Sequence, residues 1–326
     1  MCVCQYKWRQ KIILGVYIDD GLIAATHEED ICKLISFLSA EFKVKKGEVE
    51  SFLGLEIFRK SDGTIYMHQN NYAEKVIKRF RMEDAKPVST RAEHSSQTTS
   101  SKSINVPYRE AIGSLMYLAI ATRPDIALGK ASQFCENPNQ EHWISVKRII
   151  RYLKGTTHYG ITFYNKSLLK LVGFSDADFA GDISTRRSTT GYVFMLGSGI
   201  ISWSSEKQKS VSMSTTESEY IAASQSVKEL IWLIRLLNDL VPKVLDVPVL
   251  HVDNQSAIKL IKNPQFHKRT KHIDVRYHFI REKYEEGIKL EYISTEDQIA
   301  DILTKALSKD RFNTLRSLMN INSYEE

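Results

Sequence analysis

Acidic residues in the second half of the chain stand where acids are expensive to keep. Asp176 and Asp178 close an apolar run, in Gly173-Phe174-Ser175-Asp176-Ala177-Asp178. Glu217 and Glu219 open a long helical pattern, in Ser214-Thr215-Thr216-Glu217-Ser218-Glu219. Asp253 ends Leu250-His251-Val252-Asp253, and Asp301 lies in Ile299-Ala300-Asp301-Ile302-Leu303-Thr304-Lys305. An acid at the end of an apolar strand usually has a partner or a task. Carboxylates converging on one point can hold two divalent cations roughly 3.5–4 Å apart, the arrangement for hydrolysing phosphodiesters. Their hard oxygens suit Mg²⁺, and Mn²⁺ can substitute. Each residue also has a purely structural reading. Asp178 competes with Asp176, because residues two apart on a strand share a face. Glu217 and Glu219 each fit a capping box, with Ser214 and Thr216. Asp253 fits an N-cap, and Asp301 a solvated helix position.

The elements that must carry these groups follow from periodicity. Residues 169–175, 191–196 and 200–204 read as strands, 216–239 as a long helix, and 247–253 as a strand running into a helix over 254–261. A helix over 274–286, a strand over 288–293 and a helix over 296–307 complete the unit. The order is mixed α/β. The acids then fall on a strand, a helix, a strand and a helix, a more specific pattern than any one of them. Upstream, 12–18 and 22–25 flank Asp19-Asp20-Gly21 as a hairpin, with a helix over 28–42. A second hairpin, 52–58 with 64–68, and a helix over 72–80 follow. Residues 89–103 hold nine Ser or Thr without helical period and read as a linker. Helices are expected over 108–121, 124–135 and 141–154.

The stretches Gly-Phe-Ser-Asp-Ala-Asp-Phe-Ala-Gly-Asp, Ser-Thr-Thr-Glu-Ser-Glu-Tyr-Ile-Ala-Ala, His-Val-Asp-Asn-Gln-Ser-Ala-Ile, Lys-His-Ile-Asp-Val-Arg-Tyr-His-Phe-Ile-Arg and Gln-Ile-Ala-Asp-Ile-Leu-Thr-Lys resemble the ribonuclease H of Ty1/copia-type Pol polyproteins, from Leu171 to about Leu307. The resemblance implies a ribonuclease H-like mixed five-stranded sheet with helices. It implies Asp176, Glu219, Asp253 and Asp301 as the catalytic, Mg²⁺-binding set, two ions in all. It implies an RNA–DNA hybrid as substrate. One departure concerns the loop before the last Asp: the wider family carries a His there that aids product release, whereas Ser294–Ala300 has none. His272 or His278 would have to substitute.

The front of the chain resembles the reverse transcriptase of the same family. Tyr17-Ile18-Asp19-Asp20 matches its Tyr-x-Asp-Asp turn. Phe52-Leu53-Gly54-Leu55-Glu56-Ile57, Tyr108-Arg109-Glu110-Ala111-Ile112-Gly113, Thr122-Arg123-Pro124-Asp125-Ile126 and Arg151-Tyr152-Leu153-Lys154-Gly155-Thr156 continue the match. This implies a partial palm and a helical thumb or connection region ahead of the ribonuclease H unit. Asp19 and Asp20 are expected to be a remnant polymerase metal site. With sixteen residues ahead of Tyr17, the earlier palm Asp and the fingers are missing, so polymerase activity is expected to be lost unless the N-terminal part of Pol is supplied. The expected division is 1–87 palm and thumb, 88–105 linker, 106–165 connection, 166–310 ribonuclease H and 311–326 tail.

The chain has 326 residues, 42% apolar, with a net charge of +6. A basic excess fits a polyanionic partner. Lys147, Arg148 and Arg151 on the 141–154 helix, and Lys268, Arg269 and Lys271 in the basic 262–289 stretch, are the candidate contacts to an RNA or DNA backbone. The four cysteines, 2, 4, 32 and 135, form no Cys-x-x-Cys pair and read as free thiols. No signal peptide or membrane span is evident, so an intracellular protein is expected, in a cytoplasmic virus-like particle or the nucleus. Two other readings compete with the nuclease. One is a non-catalytic nucleic-acid-binding remnant of a retrotransposon. The other is an integrase-type nuclease, disfavoured because its acids run Asp, Asp, Glu.

Overall fold

The computed structural model describes residues 2–7, 10–92, 103–165, 168–241, 246–263 and 271–324. Three sheets are present among them. The first is an antiparallel meander of β1 (Cys2–Lys7), β2 (Gln10–Tyr17) and β3 (Asp20–Ala25), followed by helix α1 (Glu28–Glu41). The Asp19-Asp20 turn joins β2 to β3, with Ile18 in the left-handed region at φ 51°.

The central sheet is mixed. Strand β8 (Leu171–Asp178) pairs antiparallel with β9 (Thr189–Leu196), which pairs with β10 (Gly199–Lys207). On its other side β8 runs parallel to β11 (Val249–Val252), and β11 parallel to β12 (Lys289–Tyr292). Parallel neighbours need helical crossovers. These are α5 (Thr215–Leu240), α6 (Gln255–Lys262) and α7 (Lys271–Glu285). The result is the mixed five-stranded sheet expected of a ribonuclease H-like fold.

The third sheet joins distant parts of the chain. Its order is β13 (Ile321–Ser323), β7 (Tyr159–Phe163), β6 (Ile65–His68), β5 (Leu55–Arg59) and β4 (Ser51–Phe52), all antiparallel. Helices α2 (Asn70–Arg79), α3 (Tyr108–Ala121), α4 (Gln140–Lys154) and α9 (Lys309–Leu318) share a buried core with Ile161 of β7 and Ile321 of β13. The segment 311–326, read as a tail, thus carries most of α9 and the strand that closes this sheet.

Alternation along β8 divides the core in two. Leu171 faces α5, α6 and α7, where Tyr220, Val227, Leu230, Leu250 and Ile280 are buried. Phe174 faces the other way, into a core shared with Ile112, Leu115, Ile150, Leu153, Leu315 and Ile321. This second core fuses the helical region and the central sheet.

Two expected helices are broken. Residues 124–135 form two short 3₁₀ turns, Pro124–Ile126 and Ala131–Phe134. The carbonyls of Ala127, Gly129, Ala131 and Cys135 accept from side chains of Arg91, Gln133, Tyr108 and Arg109. Side-chain donors replace the helical ladder there. Residues 296–307 likewise split into a 3₁₀ turn at Thr295–Asp297 and the short α8 (Asp301–Thr304). Between them the buried Gln298 carboxamide donates to Ser175 O of β8 at 2.9 Å. Strands β7 and β13 and helix α9 are elements that periodicity did not reveal.

Candidate metal centre

Asp176 lies near the C-terminal end of β8, on the same strand face as Phe174. It is fully buried, and Asp301 is almost so. Glu219, in the second turn of α5, is 6% exposed, and Asp253 follows the last residue of β11. One carboxylate oxygen each of Asp176, Glu219 and Asp253 lie within 4.8 Å of one another.

The acids that compete in the sequence have different partners in the structure. Glu217 is the capping residue: its amide donates to Ser214 Oγ at 3.1 Å, and its carboxylate accepts from the Met213 amide at 2.7 Å. Glu219 is left to face the cluster. Asn254, not Asp253, caps α6, accepting from the Ala257 amide at 2.9 Å. Asp178 turns away from the group of three: it accepts from the Thr189 amide and lies 3.7 Å from Lys130 Nζ. Asp301 does not join the group either. Its Oδ1 meets Lys305 Nζ at 2.7 Å and its Oδ2 meets Arg311 at 2.6 Å.

Packing holds these positions. A Cβ at Gly191 on β9 would lie 2.6 Å from Thr304 Cγ2 and 3.1 Å from Ala300 O, so glycine lets α8 rest directly on the sheet. Thr304 donates to Asp176 Oδ2, and the Ala177 amide donates to Glu219 Oε1 at 3.2 Å. Thr295 donates to Asp253 Oδ2 at 3.0 Å, so the loop expected to lack a His offers a hydroxyl instead. Buried Gln208 reaches Thr190 Oγ1 and Ser218 O, fixing the turn of α5 that bears Glu219.

Burial pushes the Asp176 carboxyl up to about 6, with the Asp301 charge adding and Lys305 opposing. Burial also drives Glu219 well above the ordinary carboxylate range, reinforced by Asp176 and Asp253. Asp253 is raised by burial as well. For Lys305, burial favours the neutral amine, but Asp176 and Asp301 outweigh it and keep the ammonium protonated. Glu219 Oε2 is buried and has no hydrogen-bond partner among the described residues. An unsatisfied buried carboxylate oxygen is costly. A divalent cation on the three-acid group would satisfy it, and an all-oxygen donor set suits a hard ion.

Asp19 and Asp20 are exposed at their turn. Among the described residues no third acidic, His or Cys group gathers with them. Lys147, Arg148 and Arg151 line a cleft of about 1140 Å³ together with Arg91, Lys130 and Lys305, and among the described residues no acidic one lines it. Arg148 also donates to Thr90 Oγ1 at 3.0 Å and Arg151 to Lys86 O at 2.7 Å. Lys268 and Arg269 lie outside the described residues; Lys271 opens α7. No described helix is long and apolar enough to cross a membrane.

Sequence reasoning missed Lys130, Gln208, Gln298, Thr304, Lys305 and Arg311. Only Lys305 had a local signal, four residues after Asp301 at helical spacing.

The mixed five-stranded sheet thus carries buried carboxylates at the C-terminal end of β8. Residues 2–94 match the family described as reverse transcriptase (RNA-dependent DNA polymerase). The Retrovirus-related Pol polyprotein from transposon TNT 1-94 of Nicotiana tabacum is 45% identical over 96% of this chain and 24% of its own length. That from transposon RE2 of Arabidopsis thaliana is 40% identical over 94% of this chain and 21% of its own. The chain therefore belongs to the copia-type retrotransposon Pol family and spans about a quarter or less of these relatives. A solved foamy viral protease–reverse transcriptase, in complex with RNA/DNA hybrid, aligns with a TM-score of 0.46 and 15% identity, over 86% of this chain and 36% of that one.

Proposed function

We propose that this chain is a metal-dependent endonuclease that cleaves the RNA strand of RNA–DNA hybrids, as the ribonuclease H part of a copia-type Pol. The observation that carries this reading is the convergence of Asp176, Glu219 and Asp253, with a buried Glu219 oxygen left over for a cation. Asp176, Glu219 and Asp253 would hold the ion, and Asp301 would extend the site to a second. Bound Mg²⁺ supplies an activated water and a counter-charge for the leaving oxygen. The Ala177 amide, Thr295 and Thr304 orient the carboxylates. Cleavage leaves 3′-hydroxyl and 5′-phosphate ends. The hybrid is read through its backbone and 2′-hydroxyls, with Lys147, Arg148 and Arg151 in the basic cleft, and Lys268, Arg269 and Lys271, near its phosphates. The proposed division is 1–87, 88–105, 106–165, 166–310 and 311–326. Asp19 and Asp20 would contribute to a polymerase metal site.

The test is incubation of the full chain with labelled RNA–DNA hybrid and Mg²⁺, beside Asp253→Asn and Glu219→Gln. Loss of RNA-strand cleavage in both variants is the expected result. Hybrid binding without cleavage by the unaltered chain would overturn the enzyme and leave a non-catalytic remnant.

A further inference from the structure

The Lys305 ammonium lies 2.9 Å from Asp176 Oδ1 and 2.7 Å from Asp301 Oδ1. It thus bridges two acids brought together from β8 and α8, both almost wholly buried, while its own side chain is 35% exposed. Arg311 takes the other oxygen of Asp301 at 2.6 Å. With both oxygens of Asp301 engaged by cations, Asp176, Glu219 and Asp253 are, among the described residues, the acids whose oxygens converge. Resting on the metal-centre reading above, we infer that Lys305 is a built-in counter-cation that stands between Asp176 and Asp301 in the metal-free protein and must withdraw before a divalent ion can use them. Uncompensated acids at such distances repel strongly in a poorly solvated site. A tethered ammonium relieves that repulsion and, being one end of a flexible four-carbon stem, can swing away through its exposed side. The same group opposes cation binding, since an entering ion must displace it or tolerate its charge.

Lys305 is thereby a positioning residue whose removal has two opposite effects. In Lys305→Gln the metal-free protein melts at lower temperature, and the variant binds Mn²⁺ at least about tenfold more tightly by calorimetric titration. Lys305→Arg keeps the charge and stays near the unaltered affinity. The unaltered chain gives a second readout that needs no variant: Mn²⁺ speeds acetylation of the Lys305 amine, read by mass spectrometry against the other lysines. Equal or weaker Mn²⁺ affinity in Lys305→Gln, or Lys305 labelling that is unchanged or slowed by Mn²⁺, overturns the counter-cation role while leaving the metal centre standing. Absence of Mn²⁺ binding to the unaltered chain and Lys305→Gln alike overturns the metal centre and this role with it.

Discussion

The two oxygens of Glu219 have different fates. One accepts the Ala177 amide; the other is buried without a partner among the described residues. Replacement by Gln removes a charge that burial disfavours, so the metal-free protein should melt at the same or a higher temperature, while cleavage falls at least about 100-fold. Melting with a chelator, beside the hybrid assay, checks both halves. Asp178 makes the contrast. Its Oδ1 takes the Thr189 amide, a bond that the carboxamide oxygen introduced by Asp178→Asn can still accept, so this variant should keep cleavage within a few-fold where Asp176→Asn loses it. Asp176 also sets a pH dependence. Its folded value, about 6, exceeds the ordinary 3.8, so the folded state binds the proton more tightly than the unfolded one. Stability from this group is therefore present below pH ~4 and lost as pH rises to about 6. The difference in melting temperature between metal-free Asp176→Asn and the unaltered chain should shift in favour of the variant across that window and level off above it. A difference independent of pH would reject the assignment. Sequence order proposed four acids, of which Asp176, Glu219 and Asp253 lie together, but it could not choose Asp176 over Asp178, because strand parity gives both the same face. The neighbours that separate them, Thr189 and Lys130, come from elsewhere in the chain.

At the scale of elements, long amphipathic helices and hairpins were legible because their period is local. Helix α3 spans the expected 108–121, and α4 starts one residue earlier than expected, behind an Asn139–His142 capping box. The segment 124–135 failed because its conformation answers to partners far away. Arg123 and Asp125 are both fully buried and paired at 2.9 and 2.8 Å. Arg123 also reaches Thr156 O and Oγ1, each at 2.7 Å, and Tyr152 donates to Asp125 Oδ2 at 2.6 Å. Breaking such a pair from one side leaves a buried charge alone. Arg123→Met should therefore destabilise the chain by about 3–5 kcal/mol, and adding Asp125→Leu should recover much of the loss. Urea denaturation of the single and double variants measures it; a single variant within about 1 kcal/mol of the unaltered chain would show that the pair is dispensable.

For the whole molecule, the core containing Ile112, Ile150 and Phe174 also contains Phe312, Leu315, Met319 and Ile321. No local periodicity announces that residues 321–323 pair with 159–161, which is why β7 and β13 were not foreseen. A chain ending at residue 310 loses α9, β13 and the Arg311 contact to Asp301 together. It should expose apolar surface and bind a hydrophobic dye strongly, whereas the 326-residue chain should not. A well-folded, cooperatively melting truncated chain would show instead that the central sheet is self-sufficient.

The Tyr66 hydroxyl bonds both His158 O and, at 3.2 Å, Asn322 O, a residue 256 positions later in the sequence. That bond closes a very long loop, and such closures come late in folding because their entropy must be met before the contact forms. While the chain is being synthesised, β7 has β6 on one side and an open edge on the other until the residues of β13 leave the ribosome. An unpaired edge invites pairing with other chains. The emerging protein therefore passes through a stage in which the core built from residues before 309 is made and β13 competes with neighbours for the same row of hydrogen bonds.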